Sequence, residues 1–204
     1  MARGSELGSI PHLARRFFGA LSPAGPPPAD ESWATGLLLP GERQLWRAMS
    51  GPDRRHAVRV ARDTLRLLDD GGPPPGRAVM AAALLHDVGK VVSGLGTLAR
   101  AAVTAVALVV GRSRLAGQPG QPDQPDQPDQ LSEAGPFGAD TPGRLTWRRR
   151  VECYFRHDRI GADLLRRAGS DQVTVAWAEE HHLPSDRWTV DRRLADALKA
   201  ADGD

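Results

Sequence analysis

The chain has 204 residues, of which 40% are hydrophobic, and this is enough for one domain with some appendages. Its net charge of +2 does not by itself argue for nucleic-acid binding, and its one cysteine, Cys153, excludes a disulfide framework within the chain. No stretch has the order of residues that marks a secretory signal. We therefore expect a protein of the reducing cytoplasm.

The first forty residues are predicted to be a poorly ordered tail. Prolines crowd the stretch from Pro23 to Pro28, and proline disfavours both a helix interior and a central strand. Residues 12–21 have the spacing of one short amphipathic helix. His12 belongs to this tail and is left out of the candidate metal ligands below.

Beyond the tail, hydrophobic residues recur at helical spacing, and no stretch alternates at period two for long enough to suggest a sheet. The pattern predicts an all-α bundle over residues 41–204. Trp147 is expected to share an apolar stripe with Val151, Tyr154 and Phe155. Helices are expected at 41–49, at 53–68 with Asp53 as N-cap, at 77–87, at 95–110, and at 145–168 with a break near His157. Two more are expected, one that ends near residue 182 with Ser170 or Asp171 as N-cap, and one at 190–202 with Thr189 as N-cap.

Residues 117–143 form a low-complexity linker. The triplet Gln-Pro-Asp occurs three times from Gln121 to Asp129, and proline at every third position favours an extended, solvated chain. We interpret this segment as a proline-rich insertion in one helical domain; recognition of the repeat by a partner is the alternative.

The segment 95–110 is apolar apart from Arg100, and it is shorter than the roughly 20 residues that span a bilayer. It predicts a helix that is buried or forms a homodimer. Peripheral contact with a membrane is the alternative, because Arg112 and Arg114 follow it closely.

The most informative stretch runs from Leu84 to Lys90. His86 and Asp87 end an alanine-rich apolar run, where burial is expected, and burying an unpaired carboxylate costs several kcal/mol. A bound cation would offset that cost, and imidazole with carboxylate suits Zn, Mn, Fe or Ni. Gly89 is predicted to take the left-handed conformation, and Lys90 to lie where an anion docks. A capping or surface role for the His-Asp pair is the alternative.

The other candidate ligands also fall at or near helix ends. His56 shares a helix face with apolar residues, which also suits an ordinary core histidine. His157 lies one turn before Gly161, a residue that permits close approach of another backbone or a metal centre. The remaining candidates are His181, His182 and Asp202, with Asp196 as an alternative to Asp202.

In combination, these residues resemble the HD-domain superfamily of metal-dependent phosphohydrolases, over about residues 43–204. They also resemble uncharacterised actinobacterial HD-domain proteins, which implies no particular activity. The resemblance implies that His56, His86, Asp87 and Asp202 hold a first metal. It further implies that Asp87 bridges to a second metal at His157, His181 and His182, and that Lys90 contacts a phosphate oxygen. The matching stretches are Arg55-His56-Ala57, Leu85 to Lys90, His157 to Leu164, Glu180-His181-His182 and Ala201-Asp202.

The function implied by this resemblance is hydrolysis of a phosphoester, in a nucleotide or related small molecule, by attack of metal-bound hydroxide. One or two divalent ions are expected, from among Mn, Fe, Ni, Zn and Mg, with Asp87 and Lys90 as the catalytic side chains. After His182 the chain departs from the cyclic-dinucleotide phosphodiesterases of the superfamily, which argues against cyclic-di-GMP as substrate. Two alternatives stay open: a metal-stabilised module that binds a nucleotide or a partner without turnover, and a diiron oxygenase of the HD type.

Overall fold

The computed structural model describes residues 24–71, 73–95, 99, 103 and 146–203. Within these ranges the chain is helical and has no strand, which confirms the all-α prediction. The predicted helix at 12–21, the linker 117–143 and most of the segment 95–110 lie outside the described residues. The helices are α1 (Pro28–Leu37), α2 (Pro40–Ala48), α3 (Gly51–Leu67), α4 (Arg77–Leu85), α5 (Lys90–Ser93), α6 (Trp147–Phe155), α7 (His157–Arg167), α8 (Gln172–Glu180) and α9 (Arg192–Asp202).

Helix α1 shows that residues 28–40 do not belong to the predicted poorly ordered tail, whereas residues 1–23 of that tail lie outside the described residues. Pro28 is the first residue of the helix, a position where the missing N–H costs nothing. The helix is part of the core, because Ala34 and Leu38 are buried. Glu31 attaches it to the next helices by accepting hydrogen bonds from Trp46 Nε1 at 2.7 Å and Arg54 Nη1 at 2.9 Å. Helical structure therefore begins at Pro28, the last proline of the run, and not near residue 41.

Two of the predicted helix caps are wrong by a few residues. Ser50 caps α3, because its Oγ accepts from the backbone N–H of Asp53, which lies in the first turn. Asp191 caps α9 by accepting from the N–H of Leu194. Thr189 instead donates its hydroxyl to Glu180 at 2.6 Å. Several side chains near each helix start can serve as caps, and the sequence alone does not choose among them.

Helix α4 is the centre of the bundle. It packs against α3 on one side and α8 on the other, while α9 covers α3 and α7 covers α8. Residues 79–85 are all buried, and three consecutive alanines, Ala81 to Ala83, let the neighbouring helices approach closely. Helix α4 therefore ends in the interior of the protein, and the buried His86 and Asp87 follow it directly.

A smaller apolar cluster lies beside the main core. Leu95, Val103 and Val151 are buried there, with Tyr154 and Phe155 packed against them. Trp147 was predicted in this stripe, but 58% of its surface is exposed. For the part of the chain that the structure describes, no helix is both long and apolar enough to cross a lipid bilayer.

Candidate metal centre

Three histidines are held in the same way at helix ends. Nδ1 of His86 lies 3.0 Å from the carbonyl of Ala83, and Nδ1 of His181 lies 3.0 Å from that of Ala178. His157 repeats the arrangement with the carbonyl of Tyr154, at 2.7 Å. A carbonyl only accepts, so each Nδ1 carries the proton and each Nε2 keeps its lone pair. This arrangement orients a metal-ligating histidine and fixes the tautomer in which Nε2 is available to a metal.

The first ligand group joins α3, the end of α4 and the end of α9. It consists of His56, His86 and Asp202. Asp202 Oδ1 lies 3.0 Å from His56 Nε2 and 3.5 Å from His86 Nε2. Two ligands that share a tetrahedral metal with bonds near 2.1 Å are about 3.4 Å apart. The spacing of the group therefore fits a shared cation.

The second ligand group adds α7 and the turn after α8. It consists of Asp87, His157, His181 and His182, of which only His182 is exposed. Asp87 Oδ1 lies 3.3 Å from His157 Nε2 and 3.8 Å from His181 Nε2. His182 Nε2 lies 3.2 Å from His157 Nε2. All seven predicted ligands thus belong to one of two adjoining groups.

Asp87 lies between the two groups. Its Oδ1 faces the second group, while its Oδ2 lies 3.5 Å from His86 Nε2 of the first. The resemblance placed Asp87 with His56, His86 and Asp202 and gave it a bridging role, and one oxygen toward each group suits that role. The structure also separates the two candidate aspartates at the end of the chain. Asp202 is buried at the site, whereas Asp196 is exposed and accepts from Arg192 Nε at 2.9 Å.

Buried polar atoms without a partner mark this site. His86 Nε2, His181 Nε2 and Asp202 Oδ2 are buried and have no hydrogen-bond partner among the described residues. Leaving such an atom unsatisfied costs about 1–3 kcal/mol. A cation on these atoms would remove that cost, so the residues present fit a divalent metal.

The protonation states also suit metal binding. Burial and the neighbouring His86 lower the pKa of His181 to about 2, so this ring is neutral at pH 7. Burial alone would raise the pKa of Asp87, but the charge of Lys90 and the nearby histidines hold that pKa well below its usual value. Burial would lower the pKa of His86, yet Asp87 and Asp202 outweigh it and raise that pKa. These shifts indicate concentrated negative charge around His86.

Lys90 makes its close contact with Asp87. Its Nζ lies 2.5 Å from Asp87 Oδ2, and although burial opposes it, that carboxylate raises the pKa of Lys90. The predicted contact with a phosphate oxygen would therefore have to form beside this ion pair.

Gly89 has a different role from the predicted one. Its φ is −64°, which is right-handed and open to any residue, so no left-handed exit occurs there. The glycine of this stretch that has a left-handed conformation is Gly94, with φ +55°, at the end of α5. What Gly89 provides is space: a Cβ on it would lie 1.9 Å from the carbonyl oxygen of His157 and 2.6 Å from the amide nitrogen of Gly161. The expectation of a close backbone approach at Gly161 is confirmed.

The sequence did not reveal how Glu180 and Tyr154 support the ligands. Glu180 is buried and accepts from Thr189 N at 2.7 Å, which fixes the chain between His182 and α9. The ring of Tyr154 stacks on His157, with centroids 5.9 Å apart. The position of Glu180 directly before His181 and His182 was the available signal in the sequence, whereas nothing in the sequence distinguished Tyr154.

In comparisons with known proteins, no family model, curated protein or solved structure matches the chain. The resemblance to the HD-domain superfamily therefore stays a prediction that rests on the motifs.

Proposed function

We propose that this chain is a metal-dependent phosphohydrolase of the HD type. The observation that carries the proposal is the pair of ligand groups that adjoin at Asp87, with buried His86 Nε2, His181 Nε2 and Asp202 Oδ2 lacking partners. The motif resemblance supplies the reaction class. A divalent metal in such a site lowers the pKa of bound water and offsets charge on phosphoryl oxygens.

The residues of the chain hold and expose this site in distinct ways. His86, Asp87 and His181 are buried and fix its floor. His56, whose side chain is 31% exposed, and His182, which is exposed, lie at its rim. A substrate would reach the ligands from this rim, and the ammonium of Lys90 beside Asp87 would add positive charge for a phosphoryl oxygen.

Imidazole and carboxylate ligands suit Mn, Fe, Ni and Zn, and geometry with availability decides among them. These ligands alone do not favour a hydrolytic reaction over a redox reaction. We prefer hydrolysis because the ammonium of Lys90 lies beside Asp87, and a cation at a metal site suits the binding of an anionic phosphoester. A binding module without turnover and a diiron oxygenase are distinguishable outcomes of the experiment below.

The experiment combines metal analysis with a phosphatase assay. Purified protein, loaded with Mn, Fe, Ni or Zn, is analysed by inductively coupled plasma mass spectrometry and assayed on p-nitrophenyl phosphate. The wild type is compared with the double variant His86→Ala, Asp87→Ala. Asp202→Asn and Asp196→Asn are a matched pair, since both change an aspartate of α9 and only Asp202 contacts the ligands.

We expect about two metal equivalents and metal-dependent turnover in the wild type and in Asp196→Asn. Both should be lost in the double variant, and Asp202→Asn should lose at least one equivalent. A wild type that hydrolyses the ester without metal would refute the proposal. Metal binding without turnover on a panel of phosphoesters would favour the binding module, and iron-dependent oxygen uptake would favour the oxygenase.

A further inference from the structure

Arg59 lies at the rim of the first ligand group. It follows His56 by three residues on α3, and its Nη2 donates to His56 Nδ1 at 2.8 Å. Among the described residues Arg59 forms no ion pair with a carboxylate, whereas Arg66 on the same helix pairs with Asp63 at 2.8 Å. No carboxylate of the described residues therefore holds the guanidinium of Arg59 in an ion pair, and Asp63, which lines the same cleft, is paired with Arg66.

The contact between Arg59 and His56 sets this histidine apart. His86, His157 and His181 donate Nδ1–H to a carbonyl, but Nδ1 of His56 accepts from Arg59. A neutral imidazole that binds a metal through Nε2 carries its proton on Nδ1 and cannot accept there. Metal binding at His56 would thus release the guanidinium of Arg59 at the rim of the site.

Lys199 is a second cation at this rim. It precedes Asp202 by three residues on α9, and residues at that spacing share a helix face. Lys199 itself is half-buried on α9, one turn before the buried ligand Asp202. Lys199, like Arg59, has no ion pair with a described carboxylate.

The two cations belong to helices that pack against each other. An open cleft between α3 and the end of α9 is lined by Arg59, Asp63, Arg66, Leu67, Ala200, Ala201 and Gly203. The cleft has a volume of about 360 Å³, within the range of small-molecule sites. The arginine side chain therefore lies against the same helix end that carries Lys199 and Asp202.

We propose that Arg59 and Lys199 bind the dianionic phosphate of a phosphomonoester at the rim of the metal centre. The inference rests on the proposed function and names its substrate class. Asp87 and Asp202 are the carboxylates of the site, and two divalent ions with Lys90 already exceed their charge. Two further cations favour a phosphate that carries two negative charges over a singly charged diester.

The test measures phosphate binding apart from catalysis. Inorganic phosphate is titrated by calorimetry into Mn-loaded and metal-free protein, for the wild type, Arg59→Gln, Lys199→Gln and the double variant. Arg66→Gln is the control, because Arg66 lines the same cleft but is paired with Asp63. Metal content and circular dichroism are recorded for every variant.

We expect each single variant to weaken phosphate binding by about threefold to tenfold, and the double variant by more than tenfold, at unchanged metal content. In the loaded enzyme, KM for p-nitrophenyl phosphate should rise in the double variant more than KM for bis(p-nitrophenyl) phosphate. Wild-type phosphate affinity in a folded, metal-loaded double variant would overturn the inference and leave the proposed function standing. Equal rises in KM for both esters would overturn the assignment of a monoester. If the wild type binds no metal, the proposed function fails, and the titration of metal-free protein still reports on the two cations.

Discussion

The substitution Gly89→Ala tests how the second ligand group is assembled. The backbone conformation at this position suits alanine, because φ is −64°. Space is the obstacle, since the new Cβ would lie 1.9 Å from the carbonyl oxygen of His157, where real Cβ atoms essentially never come closer than 3.0 Å. The carbonyl must retreat by the difference, more than 1 Å.

A retreat of this size exceeds what a metal site tolerates. His157 Nε2 now lies 3.3 Å from Asp87 Oδ1, and ligand distances in a working site hold to within about 0.2 Å. Moving the start of α7 away from Gly89 carries the His157 ring with it. We expect Gly89→Ala to retain the first metal and lose the second, with a loss of stability of about 1–3 kcal/mol from overpacking.

The assay is metal content by mass spectrometry together with thermal unfolding followed by circular dichroism. Gly36→Ala is the matched control, because a Cβ on this exposed residue of α1 meets nothing within 4 Å. It should keep wild-type metal content and gain up to about 1 kcal/mol of stability. Gly161→Ala is a milder probe of the same crossing, since its Cβ would lie 3.1 Å from Gly89 N. Wild-type metal content and wild-type melting temperature in Gly89→Ala would refute the reasoning.

Three further predictions concern pH, the first helix and the turn after α8. The pKa of His181 is about 2 in the folded metal-free protein and about 6.5 in the unfolded chain. Between these two pH values only the unfolded chain binds a proton at His181, so the free energy of unfolding decreases as the pH falls. Urea unfolding of metal-free protein should show a loss of about 1 kcal/mol from His181 between pH 7 and pH 5.5, and His181→Gln should lack that part of the slope; an identical slope in both would contradict the assigned pKa. Leu38→Ala should lower the free energy of unfolding by about 2–4 kcal/mol, because Leu38 is 2% exposed in the core, whereas a loose tail at this position would give no change. Glu180→Ala should weaken metal binding more than Glu179→Ala, because only Glu180 holds Thr189 and Val190 behind His182, and equal affinities would show that this turn does not position the ligands.

The helices themselves follow closely from the sequence. Helical spacing of apolar residues predicted α2, α3, α4 and α9 within a few residues, and the break near His157 separates α6 from α7. This agreement reflects local causes, because the periodicity of apolar residues and the terminating glycines and prolines act within one or two turns. Local reasoning gave the wrong prediction at α1, because the prolines from Pro23 to Pro28 suggested a poorly ordered chain. The helix begins at the last of these prolines.

The candidate ligands were also visible in the sequence, because a His-Asp pair after a buried apolar run demands a partner wherever the chain leads. Their division into two groups was implied only by the family resemblance and not by any local pattern, since it depends on how α3, α4, α7, α8 and α9 converge across long stretches of chain. Asp202 and Asp196 have similar helical surroundings in sequence, and only packing buries Asp202 and exposes Asp196. The role of Gly89 likewise depends on a backbone 68 residues away in the chain, at His157, which local conformational preference does not register. Residue type and helical phase are local properties that can be read along the chain, whereas the contacts that bring the ligands together are long-range and follow only from the packing of the helices.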